Sequence, residues 1–142
     1  MAALVGSALL ACVLQASGAV QVPPEVLVSV MKVEGGAVGV ASKNTNQTED
    51  LGIMQVNTGA WLGTAAKAHF DGNRELAYSR LRDDGCYNIL VGAWILRKAI
   101  DEEGGDIWEG VGRYHSRTPS LKAGYKARVQ RTYQKLFGHP AR

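Results

Sequence analysis

The chain has 142 residues, of which 46% are hydrophobic and 20% are charged. This length suits one domain of ordinary size rather than two, and the composition excludes a disordered chain. The formal net charge of +3 favours an anionic partner, such as a nucleic acid, a membrane surface or a cell-wall polymer, without choosing among them.

The first 19 residues are apolar and rich in small side chains. Ser17 and Ala19 stand at the −3 and −1 positions of a signal-peptidase site, which predicts a cleaved signal peptide at residues 1–19 and a folded domain at residues 20–142. No Lys or Arg precedes the apolar run, which departs from the usual pattern of such leaders. The prediction is an exported, periplasmic protein without a permanent membrane span, because the apolar run is short and ends at Pro23.

The two cysteines differ in their predicted fate. Cys12 lies inside the predicted leader, and a lipoprotein processing site at Cys12 is the alternative to signal-peptide cleavage. Removal of Cys12 leaves Cys86 alone, which predicts a buried thiol, no intramolecular disulfide and no thiolate metal cluster.

After the leader, the hydrophobic pattern predicts an all-α fold, α+β at most, in a single domain. Apolar residues recur at helical spacing in most segments, and glycines and prolines separate them. The region from Ala37 to Asp50 is polar and without periodicity, which predicts a long functional loop. The predicted helices run from Pro23-Pro24 to Glu34, from Thr58 as the cap, from Arg74 to Leu81, from Tyr87 to Ile100, from Asp106 as the cap, and from Leu121 to about Phe137.

The predicted last helix is basic and has no acidic residue. Its Lys and Arg residues are spread around an amphipathic stripe, which favours a solvated face over a nucleic-acid site. We therefore predict no nucleic-acid partner.

Glu34 is the candidate catalytic residue. It ends an apolar helix and is followed by Gly35 and Gly36, which leave its carboxyl group uncovered by neighbouring side chains. Partial burial against apolar groups raises the pKa of a carboxyl group, as a general acid requires near neutral pH. An ordinary surface Glu at a helix end would show the same local pattern.

Two further motifs follow Glu34-Gly35 in a fixed order. They are Gly52-Ile53-Met54-Gln55, across the polar loop, and Gly112-Arg113-Tyr114-His115-Ser116, near the last helix. Together the three motifs resemble those of soluble-lytic-transglycosylase (SLT) domains, which have a lysozyme-like, all-helical fold. The Cys86-Tyr87-Asn88-Ile89 segment, Gly92-Ala93 and the Tyr114-His115-Ser116 triplet are similar to those of the small specialised transglycosylases of type IV secretion and conjugation systems.

The resemblance implies a role for each motif residue. Gly52 would let a sugar approach the backbone, Met54 would lie against a pyranose ring, and Gln55 would offer a donor and an acceptor to the N-acetyl groups. Asn57 would either contact substrate or cap the next helix. Tyr114 resembles the tyrosine whose hydroxyl orients the catalytic carboxyl group.

Two positions depart from the family pattern. Gly35 replaces a usual Ser, so a supporting hydroxyl is missing, which would lower activity. His115 replaces the Asn of many members, and we predict a loop residue there rather than a catalyst.

The resemblance implies cleavage of the β-1,4 bond between N-acetylmuramic acid and N-acetylglucosamine in peptidoglycan glycan strands. One Glu would act as acid and then as base, with closure of a 1,6-anhydro ring and no metal or cofactor. Three alternatives stay open: a muramidase using Asp50 to position water, a catalytically inactive glycan-binding module, and a nucleic-acid-binding helix.

Overall fold

The computed structural model describes residues 6–138. Within these residues the chain forms seven helices and three short strands. The helices are α1 Ser7–Val20, α2 Pro24–Glu34, α3 Thr58–His69, α4 Arg74–Asp83, α5 Gly85–Glu102, α6 Ile107–His115 and α7 Pro119–Phe137. The strands are β1 Ala41–Lys43, β2 Glu49–Leu51 and β3 Val56–Asn57. The fold is therefore predominantly helical, as predicted, and it also contains a small sheet.

The chain divides into two compact units. One unit contains the chain up to Val33 together with the chain from Ala93 onward, and the other unit spans Glu34–Gly92. The first unit contains α1, most of α2, α6, α7 and the second part of α5. The second unit contains the sheet, α3, α4 and the start of α5.

The helices after residue 23 confirm the predictions to within a few residues, because their start signals act locally. Asp106 caps α6, as predicted, since its side chain accepts a hydrogen bond from the Glu109 N–H at 3.1 Å. The cap of α3 is Asn57, for which capping was one of the two predicted roles, and not Thr58. The Asn57 side-chain oxygen accepts from the Ala60 N–H at 3.0 Å.

The predicted long loop is wrong from Ala41 onward, where the chain forms an antiparallel hairpin. Strand β1 pairs with β2 in a register that sets Ala41 opposite Leu51, and β2 pairs in turn with β3. The turn between β1 and β2 is closed by Asn46, whose side-chain oxygen accepts from the Thr48 N–H at 3.1 Å and from the Thr48 hydroxyl at 2.6 Å. A polar side chain therefore provides hydrogen bonds that close the turn, so the hairpin forms without an apolar sequence pattern.

The segment predicted as a leader contains helix α1. Val13 and Ala16 on this helix are buried, at 0% and 2% exposure. The Ser17 hydroxyl donates to the Val22 carbonyl at 2.6 Å, and Arg97 Nη1 donates to the Gln21 carbonyl at 3.3 Å. These contacts join α1 to its own unit, so the helix is a packed element of the structure. Cleavage after Ala19 stays a prediction, and these contacts argue against it.

The prediction for the cysteines is wrong. Cys12 and Cys86 are both disulfide-bonded, and Cys86 is exposed rather than buried. The exclusion of a disulfide depended on the removal of Cys12 with the leader.

Glycines allow close helix contacts in the first unit. A side chain at Gly110 would collide with the backbone of Ile100 on α5, with its Cβ 2.5 Å from the Ile100 Cα. A side chain at Gly112 would lie 2.8 Å from the Lys122 carbonyl oxygen on α7. These two positions fix α6 against both neighbours. Among residues 6–138, no helix is long and apolar enough to cross a membrane.

Candidate active site

Glu34 is the last residue of α2 and is half-buried. The chain turns sharply after it, because Gly35 adopts a left-handed conformation with φ of 68°. A Cβ at Gly35 would meet nothing within 4 Å, so the position excludes side chains through its backbone angle and not through lack of space. Glycine therefore replaces the family Ser where the backbone favours glycine.

The second motif forms a tight turn against the chain that follows Glu34. The missing side chain of Gly36 would collide with the Gly52 carbonyl and lie 2.7 Å from Gln55 Nε2. The segment next to the candidate acid is therefore in contact with the turn that carries Gly52 and Gln55. In this way the fold brings two motifs together that are far apart in the sequence.

Gln55 is held in a strained conformation. Its φ is 53°, in the left-handed region that side chains disfavour, and its backbone N–H donates to the Gly52 carbonyl at 3.2 Å. Its Nε2 donates to the carbonyls of Gly52 at 2.9 Å and Asp50 at 3.4 Å. Both N–H groups of the amide are thus engaged in the turn. The side-chain oxygen accepts no hydrogen bond from the residues described, so Gln55 offers a ligand an acceptor, not the predicted donor and acceptor.

The predicted sugar contacts of Met54 and Gly52 are not supported. Met54 is fully buried, and its side chain packs where a Cβ at Gly92 would lie. It has no exposed surface for a pyranose ring. Gly52 adopts φ of 68°, and a side chain there would lie 2.6 Å from the Leu81 carbonyl and collide with Asn88. The side of Gly52 on which a side chain would lie faces Leu81 and Asn88, so the glycine is needed for packing within the protein.

Asn88 is the residue that sequence analysis missed. It is buried at 1% exposure on α5, and its Oδ1 accepts from the Met54 N–H at 2.9 Å. Its Nδ2 donates to the carbonyls of Leu51 and Leu81, both at 2.8 Å. One amide therefore binds three backbone groups and connects the motif turn with α4 and α5. The resemblance of the segment around Asn88 was noted in the sequence, but a single buried polar residue gives no sequence signal of its own.

The side-chain oxygen and nitrogen of Asn57 both form hydrogen bonds within the protein. Besides capping α3, its Nδ2 donates to Thr48 Oγ1 at 3.0 Å and to Asp50 Oδ1 at 2.9 Å. Of the two predicted roles, cap and substrate contact, the structure supports the cap. The same bond ties the Asp50 carboxylate to an amide of its own sheet.

Glu49, the other acid beside this motif, is also engaged. The Tyr78 hydroxyl donates to Glu49 Oε1 at 2.9 Å, and the Glu49 N–H donates to the Thr58 hydroxyl at 3.0 Å. Burial and the hydrogen bond to Glu49 raise the pKa of Tyr78, so this tyrosine stays protonated and donates.

The third motif lies in the other unit, on α6, where Tyr114 is half-buried. The preceding Arg113 forms ion pairs with Glu102 at 3.4 Å and Glu103 at 3.2 Å. His115 is the last residue of α6, not a loop residue, and its ring stacks on Tyr125 at a centroid distance of 4.7 Å. Gly112, Arg113 and His115 thus act in packing, and Tyr114 stays the candidate for a role in the site.

No group of three or more His, Cys, Asp or Glu residues in the described part of the chain could hold a metal ion. The absence of a cofactor stays a prediction.

A predominantly helical fold with a small sheet and an acid at the end of an apolar helix define a lysozyme-like domain. The family model of the transglycosylase SLT domain matches residues 11–136, most of the chain. The chain therefore belongs to the SLT family, whose members act on peptidoglycan. The match begins inside the predicted leader and extends over parts of both units. A comparison with curated proteins found no match.

Proposed function

We propose that this protein is a lytic transglycosylase that cleaves the bond between N-acetylmuramic acid and N-acetylglucosamine and leaves 1,6-anhydro ends. The observation that carries the proposal is the family match, which includes Glu34 and both further motifs. The contact between Gly36 and the Gly52–Gln55 turn supports it, since it joins the segment of the acid to the second motif.

In the proposed reaction, Glu34 acts first as an acid and then as a base. Its carboxyl group gives a proton to the glycosidic oxygen as the bond from that oxygen to C1 of the muramic acid breaks. The resulting carboxylate accepts the proton of the 6-hydroxyl group, whose oxygen forms the new bond to C1. Glu34 returns to its starting state, and no water is consumed. The intramolecular attack replaces the second carboxylate of a hydrolase.

The hydrolytic alternative depends on Asp50. A muramidase would need this carboxylate to activate water, but its Oδ1 accepts a hydrogen bond from Asn57 within the sheet. This bond gives Asp50 a structural role, which favours the single-acid mechanism.

The first experiment replaces Glu34 with Gln and analyses the muropeptides released from purified sacculi by mass spectrometry. The amide keeps the shape of the carboxyl group but cannot deliver a proton, so we expect release to fall below a few per cent of the parent rate, a loss of at least about 2 kcal/mol in transition-state stabilisation. Glu25→Gln, at the other end of α2, removes the same charge and should leave the rate unchanged. Substantial release by Glu34→Gln would overturn the assignment.

The second experiment identifies the attacking group. Digestion in heavy-oxygen water should give muramyl ends that are lighter by one water and carry no label. Asp50→Asn should retain most activity, since the Asn oxygen can still accept the hydrogen bond from Asn57. Labelled reducing ends with an inactive Asp50 variant would indicate a muramidase. Binding of glycan without any cleavage would indicate an inactive module.

We further propose that the protein acts in the periplasm, where peptidoglycan lies. The disulfide-bonded cysteines support this location, because disulfides persist in oxidising compartments. The proposed role is local opening of the wall for a secretion or conjugation apparatus, which rests on the sequence resemblance around Cys86 and Tyr114. Deletion of the gene should lower transfer of a conjugative element or secretion of a substrate. The parent gene should restore it, and the Glu34→Gln form should not.

A further inference from the structure

A basic pocket is lined by one residue of α2 and four residues of α7. It has a volume of about 410 Å³, within the range of small-ligand sites. Among the described residues, its lining combines three cations, a hydroxyl group and one apolar side chain: Val33, Arg128, Arg131, Thr132 and Lys135. Val33 directly precedes Glu34 in the sequence.

The cations of α7 fall into two groups with different partners. Lys122 and Lys126 face α6, where Lys122 binds Glu103 at 2.9 Å and Glu109 at 3.1 Å, and Lys126 binds Glu109 at 2.5 Å. These charges are neutralised within the protein. Glu103 and Glu109 are thus placed against one face of α7.

The pocket cations are not neutralised in this way. Within residues 6–138, no carboxylate forms an ion pair with Arg128, Arg131 or Lys135, and all three side chains are exposed. Arg128 lies over the Tyr125 ring, with its guanidinium carbon 5.5 Å from the ring centre. Arg131 and Lys135, one helical turn apart, therefore present unpaired charge to a concave surface.

We propose that this pocket binds the carboxylates of the peptidoglycan stem peptide. The inference rests on the proposed function, because the substrate of that function carries short peptides with free carboxylates along its glycan chain. Arg131 offers a planar donor pair that suits a carboxylate, Lys135 adds a point charge, and Thr132 adds a hydroxyl donor. Val33 provides an apolar contact for the side chain of the peptide.

The test is direct binding of a fluorescent stem peptide to the Glu34→Gln protein, so that catalysis does not enter. The paired substitution Arg131→Gln with Lys135→Gln should weaken binding by roughly tenfold, because two charge-assisted contacts are lost. The matched control is Arg117→Gln with Lys98→Gln, which removes the same charge from exposed cations outside the pocket. Its binding should change by less than about twofold, as expected for screened surface charges. A peptide with amidated carboxylates should bind the parent as weakly as the free peptide binds the pocket variant.

Three results would overturn the proposal: equal loss in both paired variants, equal binding of the amidated peptide, or no binding of the free peptide. Binding of a fluorescent short DNA duplex that is lost in the pocket variant, with no binding of the free peptide, would assign the pocket to nucleic acid. The outcome is separable from the proposed function. If the active chain fails to cleave sacculi, the peptide-binding assay still reports on the pocket. If the pocket fails, cleavage of glycan strands stripped of peptides is unaffected.

Discussion

The buried Asn88 side chain forms three hydrogen bonds, all of them with backbone groups. It binds the Met54 N–H and two carbonyls at distances of 2.8–2.9 Å, in a position without solvent. A buried backbone group that loses its partner costs about 1–3 kcal/mol. We therefore expect Asn88 to fix the turn on which Gln55 depends, and so to act on catalysis without touching substrate.

The substitution Asn88→Asp tests this role. It keeps the acceptor for the Met54 N–H but sets a buried carboxylate against the carbonyls of Leu51 and Leu81. We expect kcat/KM on sacculi to fall at least about tenfold at temperatures where circular dichroism shows a folded chain, equal to about 1.4 kcal/mol.

Ile89→Val is the control for Asn88→Asp. It lowers the stability of the fold at the neighbouring core residue but leaves the hydrogen bonds of Asn88 to the turn unchanged. It should lose about 0.5–1.5 kcal/mol in stability and keep its activity. Equal activity losses in the two variants would reduce Asn88 to a general core residue.

Tyr114→Phe tests the orienting hydroxyl implied by the third motif. We expect kcat to fall about tenfold or more while KM changes little, since the hydroxyl would orient the acid and not bind the sugar. Tyr133→Phe, on α7, removes a hydroxyl from a tyrosine that packs on Trp108 and serves as the control. An unchanged kcat for Tyr114→Phe would place this tyrosine among the packing residues.

The family and its motif positions could be predicted from the sequence, but the direction of each side chain could not. Gly52 and Met54 were predicted to face a sugar and instead face Asn88 and Gly92. A motif records that residue types occur together, whereas the direction of a side chain depends on contacts with residues distant in sequence. Asn88 lies 34 positions from Met54, and because of this separation no local sequence pattern predicts their hydrogen bond.

At the scale of elements, α6 and α7 are held together by charge as well as by the close contact at Gly112. The hydrogen-bonded ammonium groups of Lys126 and Lys122 lower the pKa of Glu109, and Lys122 with Arg113 lowers the pKa of Glu103. A lowered folded-state pKa contributes stability above the ordinary value of 4.5, and this contribution is lost as the pH falls through the lowered pKa.

We predict that Lys122→Met weakens the dependence of Tm on pH below pH 7. Met keeps the apolar stem that contacts Gly112 but removes the ammonium group. The parent should have the higher Tm near pH 7, and the difference should shrink as the pH falls through the lowered pKa values of Glu103 and Glu109 and these carboxylates become protonated. Thermal unfolding between pH 3 and 7 measures it.

Lys98→Gln is the control for this profile, because its ion pair with Glu102 is exposed and spans 3.9 Å. Its profile should follow that of the parent. A constant difference between the parent and Lys122→Met at all pH values would mean that packing, and not charge, stabilises this contact.

The helices were predictable because their signals are local, and the sheet was not. Strands β1, β2 and β3 have only two or three residues each, too few to show an alternation, and their pairing depends on hydrogen bonds across the turn and on the side chain of Asn46. Helix α7 also shows that an apolar stripe in the sequence does not predict burial at every one of its positions. Tyr125 and Val129 are buried as its apolar pattern predicts, but Leu121, one turn earlier, is 55% exposed.

At the scale of the whole molecule, the open question is whether α1 belongs to the mature protein. An apolar helix with small residues fits both a leader and a buried helix, so its sequence alone does not distinguish them. The structure adds buried Val13, the bond from Ser17 to Val22 and the disulfide-bonded Cys12. All of these contacts would be lost by cleavage after Ala19.

We therefore predict that the mature protein retains residues 7–20. Intact-mass and N-terminal analysis of the protein purified from the periplasm should find a chain that includes Cys12. A chain expressed from Val20 in the same compartment should unfold at a lower temperature, because the loss of a native disulfide in a small secreted domain costs about 2–5 kcal/mol. Cys12→Ser separates the two contributions, since it removes the disulfide and keeps the buried face of α1, and its stability should lie between those of the other two chains. A mature terminus at Val20 with parental stability would restore the leader prediction.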